Sequence, residues 1–478
     1  MGIFSQLDFS VRQKPQTSAK DRSIRLDVNA LSKKTPHSDD IAACRAELRR
    51  DPDNGAKWAE LAEFFAKEKK WVKAAQAYTQ VLTKAKISPS IQGRAAVVFC
   101  HAGQFREAHD LMAQAIKQNP NNQELQLDQF RVFRLSGQFN HACKVMAELK
   151  RNIAPRTLSE IYLATESYCK MSSGKYVQGL KFLKEIWDKG TEKTATGRYK
   201  RKYKFPAWDG GDLTGKTLLL KCEQGLGDGI IFLRYLPMLA AMNPDKIHVI
   251  LARPLHRLLD GNPHVDLVAD RKDYTSNADV QVFTFDLPLY FKTTPKTVPA
   301  PPTLNIPKSS VTRARKILKI HSSTFNVGVL WTGNPKFPEN PQRSISVGRF
   351  LDLADIPNLQ MFSLYKGDMP KILSSKPASE QILDVSNSDK DLADSAAFME
   401  QLDLIITVDS AVAHLAGSLN TRVWCLLKFL PFWYYANGIN TPWYPNMRLF
   451  KQKSPRKWDA VFADVRRELT HLAAQKNQ

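Results

Sequence analysis

The sequence predicts a region of α-helical repeats followed by two α/β units of the Rossmann type. Three observations predict this fold class. Residues recur with a period of 34 in the N-terminal part, strand and helix patterns alternate in two later sets, and a proline-rich stretch separates those sets. A chain of 478 residues has room for about three domains. Its hydrophobic content of 43% is enough for packed cores.

The first 38 residues are polar and lack a sustained period, so residues 1–38 are predicted to form a flexible arm. A repeat then follows, with aromatic or small residues 34 apart: Phe65, Phe99 and Phe133; Trp71, Phe105 and Phe139; Ala74, Ala108 and Ala142. Such a period is typical of stacked helical hairpins. Small residues lie where helices cross, and aromatic residues fill the gaps between hairpins. We therefore assign residues 39–188 to helical repeats.

This repeat resembles the tetratricopeptide repeat (TPR). The segment from Trp58 to Phe65 (W-x-x-L-A-x-x-F) and the pair Ala74-x-x-x-Tyr78 follow its consensus. The resemblance implies an array that binds a protein or an assembly partner on its concave face. The sequence leaves open the alternative that these helices only brace the rest of the chain.

The formal charge of +22 favours anionic partners without choosing among nucleic acid, anionic lipid and phosphorylated small molecules. Seven Lys or Arg residues between positions 189 and 204 accompany a single acid, Glu192. We interpret residues 189–210 as a basic, solvated linker, and a binding patch is the alternative. No nucleic-acid-binding signature accompanies the run, so nucleic acid is not an expected partner.

The six cysteines are scattered without a C-x-x-C pair, which suits a reducing compartment. The N-terminus lacks the basic and apolar regions of a secretory signal, and no run of apolar residues is long enough for a membrane span. We therefore expect a cytoplasmic protein without a transmembrane segment, and peripheral contact with a membrane is left open.

Two Rossmann-like lobes are predicted at residues 211–305 and 306–478, with prolines between positions 295 and 307 at their junction. The predicted strands are 216–222, 247–251 and 280–284 in the first lobe, and 326–331, 359–364, 404–408 and 422–427 in the second. Helical patterns lie between these strands, so two parallel sheets facing a cleft are expected.

A glycine-rich turn follows the first predicted strand. Gly225, Gly227 and Asp228 occur in the sequence G-L-G-D, directly before an apolar helix-like run. Such a turn places Asp228 at the carboxyl end of a strand, where open α/β sheets bind ligands. A carboxylate at that position can accept a proton from a substrate hydroxyl. A purely structural glycine turn is the alternative, since many strand-to-helix turns are glycine-rich.

Two further turns lie in the second lobe. The predicted strand 404–408 ends in Asp409-Ser410-Ala411, which enters a helix containing His414, and helix N-termini bind phosphate. His414 is either a ligand-facing or a structural residue.

The other turn, Thr332-Gly333-Asn334, is followed by Arg343, whose guanidinium can hold phosphate oxygens in a fork. A surface role for Arg343 is the alternative.

Together these motifs resemble the heptosyltransferase-type glycosyltransferases that are fused to TPR arrays in bacteria, and among them those that modify flagellin. Five collinear segments carry the resemblance: Glu223–Asp228, Trp331–Pro335, Arg343–Ile345, Asp403–Gly417 and Pro442–Pro445. Two departures from the family pattern are Ser410-Ala411, where Thr-Gly or Thr-Ala is usual, and Gly229, which loosens the first turn of the following helix.

The resemblance implies a GT-B fold and metal-independent, inverting transfer of a sugar from a nucleotide-sugar to an acceptor hydroxyl. It implies Asp228 as the catalytic base and no cofactor besides the nucleotide-sugar substrate. The implied donor-binding residues are Thr332, Gly333, Asn334, Arg343, Asp409, Ser410, Ala411 and His414. The implied acceptor-side loop contains Glu223, Gln224, Gly225 and Gly227.

The acceptor that this resemblance favours is a flagellin-like protein recruited by the repeats. Two alternatives stay open: a lipid-linked or saccharide acceptor, and a scaffold protein that has lost catalysis. The pairs Asp51-x-Asp53 and Asp389-x-Asp391 are interpreted as loop residues rather than metal ligands, and no histidine spacing suits zinc.

Overall fold

In the computed structural model, the described residues are 37–152, 160–189, 201–320, 323–367, 373, 380–385, 388–419, 421–435 and 438–476. The predicted arm lies outside them except for its last two residues, and so do residues 190–200 of the predicted linker. Internal contacts divide the chain into two compact units, of which the first ends at Lys170 and the second begins at Met171.

The first unit consists, in its described part, of helices joined by short turns. They are α1 (Ser38–Arg50), α2 (Gly55–Lys67), α3 (Trp71–Lys84), α4 (Pro89–Ala102), α5 (Phe105–Gln118), α6 (Gln123–Leu135), α7 (Phe139–Asn152) and α8 (Glu160–Ser172), the last of which crosses the boundary. Helix α2 packs on α3, α4 on α5 and α6 on α7, which is the pairing of helical hairpins.

Capping residues explain why the helix starts recur every 34 residues. The side chains of Asn54, Ser88 and Asn122, which are 34 apart, accept hydrogen bonds from backbone N–H groups in the first turns of α2, α4 and α6. Two glycines 34 apart, Gly103 and Gly137, follow α4 and α6 with φ values of +85° and +78°. Such a left-handed backbone ends a helix and strongly favours glycine.

The predicted packing positions of the repeat are confirmed. Ala74, Ala108 and Ala142 are fully buried, as close helix crossings require. The aromatic residues Trp71 and Phe139, at equivalent positions of the first and third hairpins, are also buried. The period of small and aromatic residues therefore reports the packing of this unit directly.

A buried ion pair joins neighbouring hairpins, and the sequence pattern did not reveal it. Arg94 of α4 donates to both carboxylate oxygens of Glu63 in α2, at 3.0 and 2.6 Å, and Tyr78 of α3 donates to the same carboxylate. Glu63 is fully buried and Arg94 is 7% exposed. Each charge needs the other, because an unpaired buried charge is strongly destabilising.

The second unit contains two sheets. We call the part built on the first sheet the first lobe. Its strands are β1 (Thr217–Lys221), β2 (Lys246–Ile250), β3 (Leu267–Ala269) and β4 (Val280–Phe283), in the parallel order β3-β2-β1-β4. The helices of this part are α9 (Tyr176–Lys189), α10 (Leu226–Phe232), α11 (Leu236–Ala240) and α12 (Leu287–Tyr290).

We call the part built on the second sheet the second lobe. Its strands are β5 (Phe325–Leu330), β6 (Leu359–Ser363), β7 (Ile382–Asp384), β8 (Leu404–Val408), β9 (Val423–Leu427), β10 (Asn440–Thr441) and β11 (Tyr444–Lys451). Their order is β10-β11-β9-β8-β5-β6-β7, and every pair is parallel except β10 with β11. Its helices are α13 (Lys308–Leu318), α14 (Asn340–Arg343), α15 (Gly348–Leu351), α16 (Leu392–Met399), α17 (Ala411–Gly417) and α18 (Asp459–Gln475).

The predicted fold class, helical repeats followed by two Rossmann-like α/β units, is confirmed, and all seven predicted strands are present. The strands that the sequence did not predict are β3, β7, β10 and β11. The first three have two or three residues, which is too short for a period to be read. Strand β11 contains Pro445, and proline argues against a strand in a sequence pattern.

The structure differs from the prediction at both ends of the basic linker. Helix α9 starts at Tyr176, inside the residues 39–188 assigned to the repeats, and ends at Lys189, but it packs against α12 in the second unit. Beyond the undescribed residues, the chain from 201 to 208 is part of the first lobe rather than a solvated linker. Arg201 and Trp208 are buried, and Ala207 forms a parallel bridge with Gln281 of β4. A buried arginine requires partners for its charge, and Arg201 finds them in Glu223 and Asp286, which lie outside the basic run.

Two arginines of the first lobe, Arg234 and Arg257, contact residues of the second lobe. Arg234, 2% exposed, donates to the backbone carbonyl of Trp443 at 2.9 Å and to that of Pro299 at 3.0 Å. Arg257 pairs with Asp391 at 3.1 Å and with Asp394 at 3.2 Å. Burial lowers the pKa of Arg234 below its ordinary value. Each contact joins residues that are far apart in sequence, so the partners of these arginines are revealed only by the folded chain.

None of the helices in the described ranges combines the length and the hydropathy that crossing a membrane requires.

Breaking the buried pair in the repeats is expected to destabilise the protein strongly. Arg94→Leu leaves Glu63 charged and buried, and this should lower the free energy of unfolding by about 3–5 kcal/mol. The control is Lys84→Leu, because Lys84 pairs with Asp53, which is 83% exposed, and the expected change is below about 1 kcal/mol. Urea denaturation followed by far-ultraviolet circular dichroism measures both. Equal effects of the two substitutions would contradict the prediction.

Candidate active site between the two lobes

The turn after β1 carries Asp228 into the first turn of α10. Gln224 adopts a left-handed backbone with φ +79°, and Gly225 follows as the residue before the helix. The Asp228 carboxylate Oδ2 accepts a hydrogen bond from the Gly225 N–H at 3.0 Å, which caps the helix. Asp228 is 8% exposed. Its carboxylate is therefore held by its own turn, at the carboxyl edge of the first sheet.

The turn after β8 carries Asp409 and Ser410 into α17. Asp409 is 5% exposed and Ser410 is 8% exposed, and the Ser410 hydroxyl lies 3.4 Å from that of Thr407. Burial raises the pKa of Asp409, and the positive charges of Arg343 and Lys428 oppose this rise. The charges of two cations thus act on the Asp409 carboxylate, which lies at the carboxyl edge of the second sheet.

These two turns meet each other. A Cβ atom added to Gly227 would lie 2.5 Å from Cδ2 and 3.3 Å from Nε2 of His414, and 3.4 Å from the Cα atom of Ala411. Helix α10 accordingly packs against α17. Position 227 therefore requires glycine, because the backbone of the first lobe is in direct contact with the His414 ring of the second lobe. This contact between the two motifs is the central feature of the candidate site.

His414 is held as a neutral ring. It is 2% exposed, and its Nδ1 lies 3.0 Å from the hydroxyl of Tyr444. Burial, together with the positive charges of Arg234 and Arg343, lowers the pKa of His414 to about 3. The ring stacks on Tyr435, with an interplanar angle of 16°. His414 can therefore exchange hydrogen bonds with a ligand but does not supply a positive charge at neutral pH.

Asn340 organises the loop after β5. Its side-chain Oδ1 accepts hydrogen bonds from the Gly333 N–H and from Arg343 Nε, both at 3.1 Å, and its Nδ2 donates to the Thr332 hydroxyl at 2.9 Å. The Thr332 hydroxyl also lies 2.7 Å from that of Ser344. One buried amide thus connects three of the predicted donor-binding residues, and the sequence did not single it out.

Arg343 has a guanidinium group with no carboxylate within 4.0 Å in the described parts of the chain. It lies over the ring of Phe337, with 4.6 Å from the central carbon to the ring centroid. A Cβ atom at Gly333 would be 2.4 Å from its terminal nitrogen, so Gly333 leaves the space that the guanidinium occupies. Arg343 therefore retains donors for an anionic ligand.

The remaining predicted residues take local roles. The side chain of Asn334 accepts from the Lys336 N–H at 2.9 Å and is exposed, and Ala411 begins α17. Glu223 pairs with Arg201, and Gln224 is exposed. The structure therefore brings Asp228, Gly227, Arg343, Asp409 and His414 together, but it does not place Asn334 or Glu223 among them.

The sequence analysis assigned no role to several residues at the site, although one of them, Tyr444, lies in the motif segment Pro442–Pro445. Tyr444 contacts His414, and Lys428 forms an ion pair with the buried Glu339. Arg234 and Lys428 both stand inside apolar stretches of sequence. A charged residue inside an apolar stretch is rarely buried without a specific partner, so their position was an available signal.

In the described residues, no group of three or more His, Cys, Asp or Glu side chains is arranged to hold a metal ion.

Comparison with known proteins gives two sequence matches. The tetratricopeptide repeat family matches residues 65–129, which confirms the predicted repeats there. Protein FlbA of Caulobacter vibrioides is 25% identical to this chain over 289 residues, which cover 56% of this chain and 48% of FlbA. The chain therefore spans about half the length of this curated relative.

Solved structures of glycosyltransferases are similar to part of the chain. The glycosyl transferase family 9 protein of Veillonella parvula matches with a TM-score of 0.40 and 14% identity, covering 56% of this chain and 98% of that protein. ADP-heptose LPS heptosyltransferase II of E. coli matches with a TM-score of 0.41 and 14% identity, covering 55% of this chain and 100% of that protein. Similarity at these values carries no argument about the activity of this chain.

A side chain at Gly227 is expected to push the lobes apart. Gly227→Ala places a methyl group against the buried His414 ring, which cannot move freely, and this should cost about 1–3 kcal/mol of stability. The control is Gly348→Ala, where the added atom meets only Ser346 at 3.5 Å. Thermal denaturation of both variants measures the difference, and a Gly227→Ala protein as stable as its control would show that the contact is absent.

Acid is expected to destabilise the protein through His414. Between about pH 6.5 and the folded pKa of about 3, the unfolded chain binds a proton that folded His414 does not. The contribution of neutral His414 to the free energy of unfolding is therefore complete above about pH 6.5. It decreases as the pH falls, and about 2 kcal/mol is lost at about pH 5. The variant His414→Gln should lack this loss. Urea denaturation at about pH 5 and just above about pH 6.5 measures the difference.

The control for this pH effect is His471→Gln, at an exposed position near the end of α18, which should keep the full acid sensitivity. The raised pKa of Asp409 acts with the opposite sign, because its contribution is lost as the pH rises through the folded pKa. Asp409 is present in all three proteins, so their difference isolates His414. Equal acid sensitivity in His414→Gln and the wild type would contradict the depressed pKa.

Proposed function

We propose that the second unit is a glycosyltransferase that moves a sugar from a nucleotide-sugar donor to an acceptor hydroxyl. The observation that carries this proposal is the meeting of two turns at one place. One turn offers the Asp228 carboxylate from the first lobe, and the other offers Asp409, Ser410 and His414 from the second. A carboxylate that can act as a base, beside groups that bind the departing phosphate, is what transfer of a sugar between two oxygens requires.

Arg343 is proposed to bind the phosphate of the donor. Its guanidinium has no carboxylate partner within 4.0 Å in the described ranges, and Asn340 fixes its orientation. As the bond between the sugar and phosphate breaks, negative charge grows on the phosphate oxygens. A cation that is already in position stabilises this charge without reorganisation. Asp409, Thr332 and neutral His414 are proposed to bind hydroxyl or amide groups of the same donor.

Asp228 is proposed to act as the base. The acceptor oxygen attacks the anomeric carbon and forms the new glycosidic bond, its proton passes to the carboxylate of Asp228, and the nucleotide leaves with the electrons of the broken bond. Attack opposite to the leaving group inverts the anomeric configuration. We propose that the charge on the leaving group is stabilised by Arg343 and that neither a metal ion nor a cofactor takes part.

The acceptor is proposed to be a protein, such as a flagellin, that the repeats recruit. The match of residues 65–129 to the tetratricopeptide repeat family supports recruitment of a protein. A lipid-linked or saccharide acceptor is the alternative. Incubation of the full chain with a radiolabelled donor, a flagellin preparation, and lipid-linked and free saccharide acceptors distinguishes them, because label enters protein in one case and lipid or free saccharide in the other. If the donor binds but label enters neither protein nor lipid or saccharide, a scaffold that has lost catalysis is favoured.

Nucleotide binding tests the donor site. We expect at least one of ADP, UDP, GDP and CMP to stabilise the full chain in a thermal shift assay and to bind measurably in calorimetry. Arg343→Gln should weaken the nucleotide that binds by about tenfold or more, since a charge-assisted hydrogen bond contributes about 1.5–3 kcal/mol. Arg349→Gln, which removes an arginine paired with the 82% exposed Asp459, is the control. If no nucleotide binds, or if both variants bind equally, the proposed donor site is wrong.

Replacement of the base tests the chemistry. Asp228→Asn keeps the shape of the side chain but removes its ability to take a proton. Transfer of sugar from the nucleotide-sugar that the binding assay selects should fall by about 10²–10⁴-fold, while nucleotide affinity stays within about twofold. The comparison of turnover with affinity separates lost chemistry from lost folding. A variant that transfers sugar at the wild-type rate would remove Asp228 from the mechanism.

A further inference from the structure

Arg201 uses nearly all of its hydrogen-bonding capacity on two carboxylates of the first lobe. One terminal nitrogen donates to both oxygens of Asp286, at 2.9 and 3.0 Å, the other donates to Glu223, and Nε donates to Glu223 at 3.2 Å. The guanidinium lies between two aromatic rings, with centroid distances of 4.6 Å to Trp187 and 4.5 Å to Phe283. Arg201 is 7% exposed, so this is a buried, planar contact.

The two carboxylates belong to loops that leave neighbouring strands. Glu223 lies two residues beyond β1, and Asp286 lies three residues beyond β4, which pairs with β1 in parallel. Arg201 therefore joins two loops at the carboxyl edge of the first sheet, the edge where Asp228 lies. Glu223 is also the residue that directly precedes the turn of Gln224 and Gly225.

The backbone of this turn is strained at Gln224 and requires support from neighbouring residues. Gln224 has a φ of +79°, a left-handed conformation that residues with a Cβ atom rarely adopt. Strained backbone persists only where its surroundings determine it. The residue before Gln224 is held by Arg201, and the residue after it, Gly225, donates its N–H to Asp228. Arg201 and Asp228 therefore hold the two sides of the strained residue.

We infer that Arg201 is a positioning residue that fixes the turn carrying Asp228. The inference rests on the proposed function, in which Asp228 takes the proton of the acceptor. Arginine suits this position because its planar fork reaches two carboxylates at once, which the single ammonium of a lysine cannot reproduce. Within the basic run, Arg201 thus acts inside the lobe rather than as a solvated charge.

Hydrogen–deuterium exchange tests the positioning without any substrate. In the full chain, Arg201→Gln should raise exchange in peptides covering residues 223–232 by about tenfold or more, because the turn loses its support. Arg201→Lys should give a smaller rise. The matched control is Arg253→Gln, which removes a 72% exposed arginine of the same lobe and should leave these peptides unchanged. Wild-type exchange over residues 223–232 in a folded Arg201→Gln protein would overturn the inference.

A second substitution separates positioning from general destabilisation. Asparagine adopts the left-handed conformation more readily than glutamine, so Gln224→Asn should reduce the strain. Combined with Arg201→Gln, it should restore part of the protection of residues 223–232. A merely structural loss elsewhere in the lobe would not respond to residue 224, and absence of any recovery would count against the inference.

Kinetics connect the positioning to the proposed reaction. With the nucleotide-sugar selected by the binding assay, Arg201→Gln should lower kcat by about tenfold or more, while KM for the donor stays within about twofold because donor contacts lie in the second lobe. A raised donor KM with unchanged kcat would overturn the inference. If no nucleotide binds to the wild type, the proposed function fails, while the exchange experiment still decides whether Arg201 holds the turn.

Discussion

The close contact between the backbone of Gly227 and the ring of His414 is the constraint on which the candidate site depends. Two short helices, α10 and α17, can bring their first turns together only because one of the two contacting residues has no side chain. The other must be uncharged, since a protonated ring in this buried position would face the cations Arg234 and Arg343. Sterics and electrostatics at this contact therefore hold the turns that carry Asp228 and Asp409 against each other.

Charge is distributed unevenly around that contact. Glu339 and Lys428 pair with each other, and Asp409 is buried near two cations. Arg343 differs, because its partners in the described structure are the amide of Asn340 and the ring of Phe337. A guanidinium that is oriented but not neutralised by a carboxylate is suited to bind an anion. The second lobe thus provides the binding charge, and the first lobe provides the carboxylate that we propose as the base.

The first lobe has a different kind of support. Its four-stranded sheet is bordered by the chain from residue 201 to 208, which delivers Arg201 to the loops after β1 and β4. This segment belongs to a run of lysines and arginines whose composition suggested a solvated linker. A basic residue in such a run becomes structural when the fold supplies acids from distant positions, here Glu223 and Asp286. Charge composition alone does not distinguish these two outcomes.

The sequence by itself determined the repeats, the seven strands and the two motif turns, because these depend on local periodicity, capping residues and glycine positions that neighbouring residues define. It also singled out Asp228, Asp409 and His414 as candidate site residues. Tertiary structure alone decided that Gly227 touches His414, that Asn340 orients Arg343 and that Arg201, Arg234 and Tyr444 are buried. The contacts of Gly227, Arg201, Arg234 and Tyr444 join residues that are distant in sequence, so no local pattern specifies them. Asn340 and Arg343 are close in sequence, but their contact depends on side-chain geometry that the sequence pattern does not specify.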